Sequence, residues 1–204
     1  MGKWLPKIYD KLMAPMEKRM FRSIRNSLVG QAQGQVLEIG SGTGLNFPYY
    51  TSKTDKVTAI EPDITMREQS LKRAQEASLV IDVQEADAER LPFPDDSFDT
   101  VIGTLVLCTI PDPDKALAEI RRVCKSDGRI LFFEHVRVQQ PFLARIQSAV
   151  TPLWKRLYDG CHLDRDTLST IKKAGFSVDH VKEYKRGLFI VIEASNEDPH
   201  RSRQ

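Results

Sequence analysis

The chain has 204 residues, of which 41% are hydrophobic and 28% are charged, a composition that fits one globular domain with a sizeable core. No apolar run approaches the roughly 20 residues that a bilayer-spanning helix requires. The formal net charge of +2 argues against a nucleic acid as partner. The three cysteines are widely spaced and form no CxxC pair, so we expect no disulfide framework and no metal, and we place the protein in the cytoplasm.

The first 30 residues carry an amphipathic pattern. Apolar side chains recur every three to four positions, at Trp4, Leu5, Ile8, Leu12, Met13, Met16, Met20 and Phe21. Basic residues occupy the opposite face, and Pro15 interrupts the segment. We predict N-terminal lid helices over residues 1–30 that cover a binding site. A basic amphipathic helix can also lie on an anionic membrane, so peripheral membrane contact is the alternative.

Short β-like runs then alternate with helix-length amphipathic segments, which predicts a parallel sheet covered by helices. The predicted strands are 36–39, 56–60, 79–85, 98–105, 129–133, 178–185 and 188–194. The predicted helices are 45–51 (short), 64–77 (capped by Asp63), 114–124, 141–157 and 164–174. We therefore expect an α/β fold, a Rossmann-like three-layer sandwich. Its seven-stranded, mostly parallel sheet has the last strand antiparallel, because residues 186–187 form a hairpin turn. The main domain covers residues 31–195 with a helical insertion at about 139–163, and residues 196–204 form a disordered tail.

A glycine-rich turn follows the first strand. Its spacing is Gly40-x-Gly42-x-Gly44, whereas a dinucleotide site needs G-x-G-x-x-G to seat a pyrophosphate. The acidic Glu38 beside the turn would repel a pyrophosphate but suits a ligand with an ammonium group. In an open α/β sheet this turn lies at the carboxyl edge, where ligands bind.

Two further acidic positions follow the next two strands. Glu61 ends the second strand and can accept hydrogen bonds from both hydroxyls of a ribose. Asp87, followed by Ala88 and Glu89, ends the third strand and can accept a hydrogen bond from an adenine amino group. Each feature alone has a plain structural explanation, as a tight connection or a solvated strand end. Together they describe an adenosine that bears an amino-acid tail.

Four segments resemble the motifs of class I S-adenosylmethionine-dependent methyltransferases: residues 36–44 (VLEIGSGTG), 59–62 (AIEP), 86–93 (ADAERLPF) and 97–101 (SFDTV). The resemblance implies S-adenosylmethionine as cofactor and S-adenosylhomocysteine as product. It implies that Glu38 faces the methionine ammonium, that Glu61 binds the ribose, and that Asp87 with Ala88 frames the adenine. The other residues assigned to the cofactor site are Gly40, Ser41, Gly42, Gly44, Asn46, Pro62, Met66, Glu89, Thr104 and Leu105.

Three later segments resemble one subgroup, the alkyl-thiol methyltransferases of the animal endoplasmic reticulum: residues 103–110 (GTLVLCTI), 132–136 (FFEHV) and 154–163 (WKRLYDGCHL). This resemblance implies a small, apolar acceptor, with a thiol favoured. Bacterial relatives with the same pattern are also named phospholipid or quinone methyltransferases, so those acceptors stay open. A non-catalytic S-adenosylmethionine-binding module is the alternative from another class. We see no apolar N-terminal anchor like that of the animal proteins.

The candidate catalytic residues are two histidines. His135 lies just beyond the fifth strand, at the carboxyl edge, where it can act as a general base; His162 is the weaker candidate, and Asp159 can orient either one. Cys108 and Cys161 could line a pocket near the methyl donor, but small core residues without evident neighbours that lower their pKa are expected, and we assign neither as a nucleophile. The apolar residues of 142–154 are predicted to form a wall of the acceptor pocket. We expect a monomer or weak homodimer.

Overall fold

A seven-stranded sheet organises the chain, and the computed structural model describes it over residues 10–11, 14–157 and 160–197. The strands are β1 (Gly34–Ile39), β2 (Thr54–Ile60), β3 (Ile81–Gln84), β4 (Phe98–Thr104), β5 (Cys124–His135), β6 (Ser177–Tyr184) and β7 (Phe189–Ser195). The helices are α1 (Arg22–Val29), α2 (Ile64–Glu76), α3 (Pro113–Val123), α4 (Pro141–Leu157) and α5 (Thr167–Lys173). A π-helical turn, Glu17–Phe21, leads into α1.

The spatial strand order is β3-β2-β1-β4-β5-β7-β6. Strands β1 to β5 pair in parallel, and β7 runs antiparallel to both of its neighbours, β5 and β6. The order reverses beside β1, so β1 and β4 diverge at the crevice where open α/β sheets bind ligands. The structure confirms the predicted Rossmann-like fold with its antiparallel last strand.

The two faces of the sheet have separate apolar cores. One core receives side chains from α3 and α5, including Leu117, Ile120 and Ile171, and the other receives Phe21, Ile24 and Leu28 from the α1 side. Alternate residues of a strand point to opposite faces. Both faces of the sheet are covered, which explains why β1, β4 and β5 each contain a run of consecutive buried residues.

The N-terminal helix is part of this core. Phe21 is fully buried, with its ring centroid 5.1 Å from that of Phe133 and 5.3 Å from that of Phe189. Of the predicted lid, residues 1–9, 12 and 13 lie outside the described chain. Asp10 does reach over the glycine-rich turn, where its Oδ1 accepts a hydrogen bond from Thr43 Oγ1 at 2.7 Å. The segment from Glu17 onward packs as an integral layer of the domain.

Element boundaries follow local chemistry. Asp63 caps α2 as predicted, accepting from the Met66 N–H at 2.9 Å, and Asp166 caps the shorter α5 in the same way. Predicted helix 45–51 is reduced to a 3₁₀ turn, Phe47–Tyr49, because Pro48 and the adjoining loop limit it. Strand β5 extends to His135, since His135 pairs with Phe189 of β7.

The ordered domain extends to residue 196, where the sequence predicts the start of the tail. Asn196, assigned to the tail, is buried, and its amide donates hydrogen bonds to the carbonyls of Arg121, Cys124 and Lys125. Residues 198–204 lie outside the described chain. Within the described residues, no helix is both long and apolar enough to cross a membrane.

Truncation of Phe21 tests the docking of the N-terminal helix. We expect Phe21→Ala to lower the free energy of unfolding by about 3–5 kcal/mol, because it removes a fully buried ring between two other aromatic rings. Met16→Ala, a change at an exposed position nearby, should cost less than about 0.5 kcal/mol. Urea denaturation followed by circular dichroism measures both. A loss below about 1 kcal/mol for Phe21→Ala would contradict the described packing.

Candidate active site

Glu38 is the most buried carboxylate of the cofactor edge. It is the last residue but one of β1, with 1% of its surface exposed. Both of its oxygens accept a hydrogen bond, from Asn46 Nδ2 at 3.0 Å and from Tyr50 OH at 2.6 Å. Burial raises the pKa of Glu38 to about 7, although these two hydrogen bonds and the charge of Arg25 act in the opposite direction. A carboxylate in this setting gains from a cationic ligand, which stabilises its charged form.

Arg25 joins this group, and sequence reasoning missed it. Its guanidinium is buried, and Nη1 donates to Asn46 Oδ1 at 2.6 Å and to Thr104 Oγ1 at 2.7 Å. Glu17 contacts Nε of the same side chain at 3.1 Å. The N-terminal helix therefore delivers a cation to the ends of β1 and β4. The only sequence signal was a charged residue on the apolar face of α1, between Ile24 and Leu28.

The glycines of the turn adopt backbone conformations that favour glycine. Gly40, Gly42 and Gly44 have φ values of +61°, +56° and +83°. A Cβ on Gly40 would lie 2.3 Å from Val106 Cγ2, whereas a Cβ on Gly42 would meet only Met66 Sδ, at 4.0 Å. Gly40 is thus needed for packing. Gly42 borders open space, as expected of a backbone that a ligand approaches closely.

Glu61 lies beside the same turn. The Gly42 N–H donates to Glu61 Oε2 at 2.9 Å, and the Asp63 N–H donates to Oε1 at 2.9 Å. Burial raises the pKa of Glu61, while both backbone hydrogen bonds oppose that rise. Each oxygen keeps a second lone pair that can accept a hydroxyl hydrogen. The residue predicted to bind ribose is therefore placed and oriented by the turn itself.

The third acidic segment is more open. Asp87 is exposed and accepts from the Glu89 N–H at 2.9 Å, while Ala88 is buried. Glu89 is committed elsewhere, because its Oε1 accepts from the Asp112 N–H at 2.8 Å and so ties this loop to the start of α3. Asp87 and Ala88 keep their predicted placement at the end of β3; the Glu89 side chain braces the loop.

The remaining predicted cofactor residues lie at the same edge. Met66 borders Gly42, and Thr104 contacts both Arg25 and Asn46. Ser41 is oriented toward α2, where its hydroxyl lies 3.1 Å from that of Ser70. Pro62 is exposed at the start of the loop before α2. Gly44 packs against Phe47.

Leu105 adopts a strained backbone at the end of β4. Its φ is +56°, a left-handed conformation that costs a branched residue free energy and is typical of functional sites. Glu134 of β5 stabilises the loop after Leu105, since its Oε1 accepts from both the Val106 and Leu107 N–H groups at 3.0 Å. Burial raises the pKa of Glu134 to about 7. The sequence signal for Glu134 was an acidic residue directly after the apolar run 130–133.

Two cysteines and a histidine meet beyond this loop. His135 Nε2 lies 2.8 Å from Cys161 Sγ, and Cys161 Sγ lies 3.8 Å from Cys108 Sγ. All three residues are buried. The expectation that neither cysteine has a neighbour lowering its pKa was wrong. Contacts with Cys108 and His135 lower the pKa of Cys161 to about 5 despite burial, whereas the Cys161 contact and burial raise the pKa of Cys108 well above its usual value.

The two candidate bases differ in surroundings. Although burial acts to lower it, the contact with Cys161 raises the pKa of His135, and its Nε2 already faces that sulfur. His162 is part of a cleft with Thr151, Lys155 and Asp164, and burial and the charge of Arg165 lower its pKa. The backbone N–H of His162 donates to the Cys108 carbonyl at 2.8 Å. Asp159, proposed to orient either ring, lies outside the described residues.

Helix α4 does not present the predicted apolar wall to the interior. Phe142 and Leu153 are 73% and 61% exposed, and the other large apolar residues named in this helix, Leu143, Ile146 and Val150, are also exposed. Its buried face carries smaller and polar residues, among them Ala144, Gln147 and Thr151. These five apolar residues of α4 therefore form an outer surface, whereas Trp154 of the predicted wall is partly buried and its side chain contacts Cys161.

Comparison with known proteins agrees with this geometry. A family profile described as a methyltransferase domain matches residues 37–132. The fold resembles the crystal structure of YcgJ from Bacillus subtilis, with a TM-score of 0.70 at 19% identity over 86% of this chain and 97% of that one. The chain belongs to the class I S-adenosylmethionine-dependent methyltransferases.

Two named relatives extend the comparison to the methyl acceptor. The chain is 35% identical to the rat thiol S-methyltransferase TMT1B over 172 residues, which cover 82% of this chain and 70% of the relative. It is 32% identical to the phosphatidylethanolamine N-methyltransferase of Cereibacter sphaeroides over 133 residues, or 64% of each chain. The two names indicate different acceptors, a thiol and a lipid amine.

A pair of glycine substitutions tests the cofactor turn. Gly42→Ala should fold, because its Cβ meets no atom closer than 4.0 Å, but it should weaken S-adenosylhomocysteine binding by about tenfold or more by occupying the approach to the backbone. Gly187→Ala places the same strain, at φ +81°, in the remote β6–β7 turn.

Both variants should lose about 1–2 kcal/mol of stability from the left-handed conformation, and only Gly42→Ala should lose affinity. Calorimetric titration and thermal unfolding measure the two effects separately. Unchanged affinity in Gly42→Ala would remove this turn from the cofactor site.

Proposed function

We propose that this enzyme transfers a methyl group from S-adenosylmethionine to the thiol of a small, apolar acceptor. The observation that carries the proposal is the 35% identity to a thiol S-methyltransferase over 172 residues. That length exceeds the 96 residues, 37–132, of the methyltransferase-domain profile. The similarity therefore extends beyond the cofactor motifs into parts of the chain that a shared cofactor alone does not explain.

The part of the proposed site that binds the methyl donor consists of carboxylates and backbone groups. Glu38 would pair with the methionine ammonium, Glu61 would accept from the ribose hydroxyls, and Asp87 with Ala88 would frame the adenine. Arg25 adds a cation beside Asn46 and Thr104, suited to the methionine carboxylate. The bound cofactor supplies an electrophilic methyl group on a sulfonium, so the chain's task is to place an acceptor in line with it and exclude water.

The acceptor side of the proposed site lies at the ends of β4 and β5. Leu105 and the loop held by Glu134 lead to Cys108, which is in contact with Cys161 beside His135. A thiol must lose its proton to become a strong nucleophile. In this proposal, His135 is the group nearest to the acceptor that can take part in that proton loss, and His162, in its separate cleft, is second.

A lipid amine is the second candidate acceptor, and one observation favours it. Phe142, Ile146 and Leu153 form an exposed apolar face on α4, with Arg145 and Lys155 on the same helix. Apolar residues beside basic ones suit contact with an anionic lipid surface. The identity to a phosphatidylethanolamine N-methyltransferase is consistent with this alternative.

An acceptor panel tests the proposed function. Purified protein is incubated with methyl-labelled S-adenosylmethionine and, separately, an alkyl thiol, phosphatidylethanolamine vesicles and a quinol. We expect label in the thioether product of the thiol alone. Glu61→Ala is the negative control, because loss of its carboxylate should reduce transfer to every acceptor. Transfer to the lipid or the quinol without transfer to any thiol would overturn the thiol assignment.

The pH dependence of cofactor binding tests the role of Glu38. A carboxyl whose pKa lies at about 7 is mostly neutral in mild acid and cannot pair with an ammonium. Affinity for S-adenosylmethionine should therefore rise by about fivefold to tenfold from about pH 6 to about pH 7.5. Tyr50, Asn46, Arg25 and the more distant Glu61 face this carboxyl.

Glu38→Gln is the matched control for this titration. It should bind more weakly throughout and show little dependence on pH in the same range, because the amide does not titrate. Calorimetry at matched ionic strength measures both proteins. An equal slope in Glu38→Gln would assign the titration to another group, and a flat wild-type profile would exclude the ammonium contact.

A further inference from the structure

Three potential ligand atoms converge at the ends of β4 and β5. Cys108 Sγ, Cys161 Sγ and a ring nitrogen of His135 all lie within 4.8 Å of one another. Their residues expose no more than 9% of their surface. Two thiols and an imidazole are the donor set that zinc prefers in proteins, and zinc sites with three protein ligands are of the catalytic type.

The distance between the two sulfurs matches the geometry of a tetrahedral zinc ion, and the distances to His135 require an adjustment. Bond lengths of about 2.3 Å to sulfur and about 2.0–2.1 Å to nitrogen place two sulfur ligands about 3.8 Å apart and a sulfur and a nitrogen about 3.5 Å apart. The two sulfurs lie 3.8 Å apart. Nε2 of His135 and Sγ of Cys161 are 2.8 Å apart and would have to separate by about 0.7 Å. The remaining pair, a ring nitrogen of His135 and Cys108 Sγ, lies within 4.8 Å, against about 3.5 Å around a zinc ion.

A disulfide fits this arrangement less well. Its sulfurs must lie about 2.05 Å apart, so the two buried cysteines would have to approach by about 1.8 Å.

We propose that Cys108, His135 and Cys161 bind one Zn²⁺ ion and leave its fourth position to the sulfur of the acceptor; this second part rests on the thiol acceptor proposed above. Two thiolates and a neutral imidazole leave the zinc site with no net charge. An acceptor thiolate would give it one negative charge, which the sulfonium of the methyl donor balances, whereas a neutral amine would leave that cation uncompensated in a buried site. The charge balance thus favours a thiol over an amine at the zinc site.

The chemistry balances without a further reactant. The acceptor thiol gives its proton to water as its sulfur binds zinc, since metal coordination deprotonates a thiol. The thiolate sulfur then forms a bond to the methyl carbon, and the bond from that carbon to the sulfonium sulfur breaks, its electron pair remaining on S-adenosylhomocysteine. The neutral thioether product binds zinc weakly and leaves. In this form His135 is a ligand and not a base.

Metal analysis tests the zinc site independently of turnover. Protein purified without chelator, under reducing conditions, should hold about one zinc ion per chain by elemental analysis. Metal-free protein prepared by chelation should take up the same amount when titrated with zinc chloride. Cys108→Ser, His135→Ala and Cys161→Ser should each weaken zinc binding by about 100-fold or more. Cys124→Ser is the matched control, a buried cysteine outside the cluster, and should keep the ion.

Each outcome of the metal analysis supports or overturns the proposed zinc site. Wild-type protein that holds no zinc and takes up none would overturn the site, whatever the fold of the variants. Zinc that persists in all three variants would place the ion elsewhere and also overturn it. A Cys108–Cys161 disulfide found by mass spectrometry in zinc-free protein, with no uptake after reduction, would assign the cysteines to a redox pair. S-adenosylhomocysteine binding by each variant verifies its fold.

Cobalt substitution separates the two parts of the proposal. Co²⁺ in the zinc site gives visible absorption from its thiolate ligands, and an added alkyl thiol should change that spectrum when it takes the fourth position. Removal of zinc should lower the rate of methyl transfer by about tenfold or more. A spectrum unchanged by thiol, with transfer intact after zinc removal, would overturn the open position. A metal site without transfer to any thiol would instead refute the proposed acceptor.

Discussion

The hydrogen bonds accepted by the buried carboxyl of Glu134 are the interaction on which the proposed acceptor site depends. One of its oxygens accepts the N–H groups of Val106 and Leu107, where the chain leaves β4 through the left-handed residue Leu105. Each of these hydrogen bonds contributes about 0.5–1.5 kcal/mol when the carboxyl is neutral and about 1.5–3 kcal/mol when it is ionised. They offset the strain at Leu105 and turn the loop so that Cys108 lies beside His135, the residue that follows Glu134.

Glu38 is a second buried carboxylate, and it lies in the candidate cofactor site. Glu38 would be expensive to bury without partners, and Asn46 and Tyr50 supply two hydrogen bonds while Arg25 supplies the opposite charge. Arg25 can do so only because Phe21, Ile24 and Leu28 dock its helix on the sheet. The N-terminal helix thus contributes to the core and to the electrostatics of the site at once, and a variant that loosens its packing should also change cofactor binding.

Much of the fold could be predicted from the sequence because its signals are local. Period-two runs, the Asp63 cap and the glycine turn each depend on neighbouring residues. The placement of the candidate cofactor residues could also be predicted, because parallel strands bring their carboxyl ends to one edge of the sheet. The cluster of Cys108, His135 and Cys161 could not be found this way. Successive members lie 27 and 26 positions apart, so their meeting depends on how the chain folds back after β5. The helical periodicity of residues 141–157 predicts a helix there but not its placement in the fold.

The orientation of α4 is a second feature that could not be predicted from the sequence. Its apolar residues suggested a pocket wall, yet Gln147 holds the helix the other way. The Gln147 amide donates to the carbonyls of Val136 and Leu163 and accepts from the Val138 N–H. Rotating the helix to bury Phe142 would break three hydrogen bonds and leave buried polar groups unpaired, at about 1–3 kcal/mol each. The outward apolar face is therefore a stable property of the fold, and the interior side of α4 combines the polar Gln147 and Thr151 with Trp154, which contacts Cys161 of the cluster.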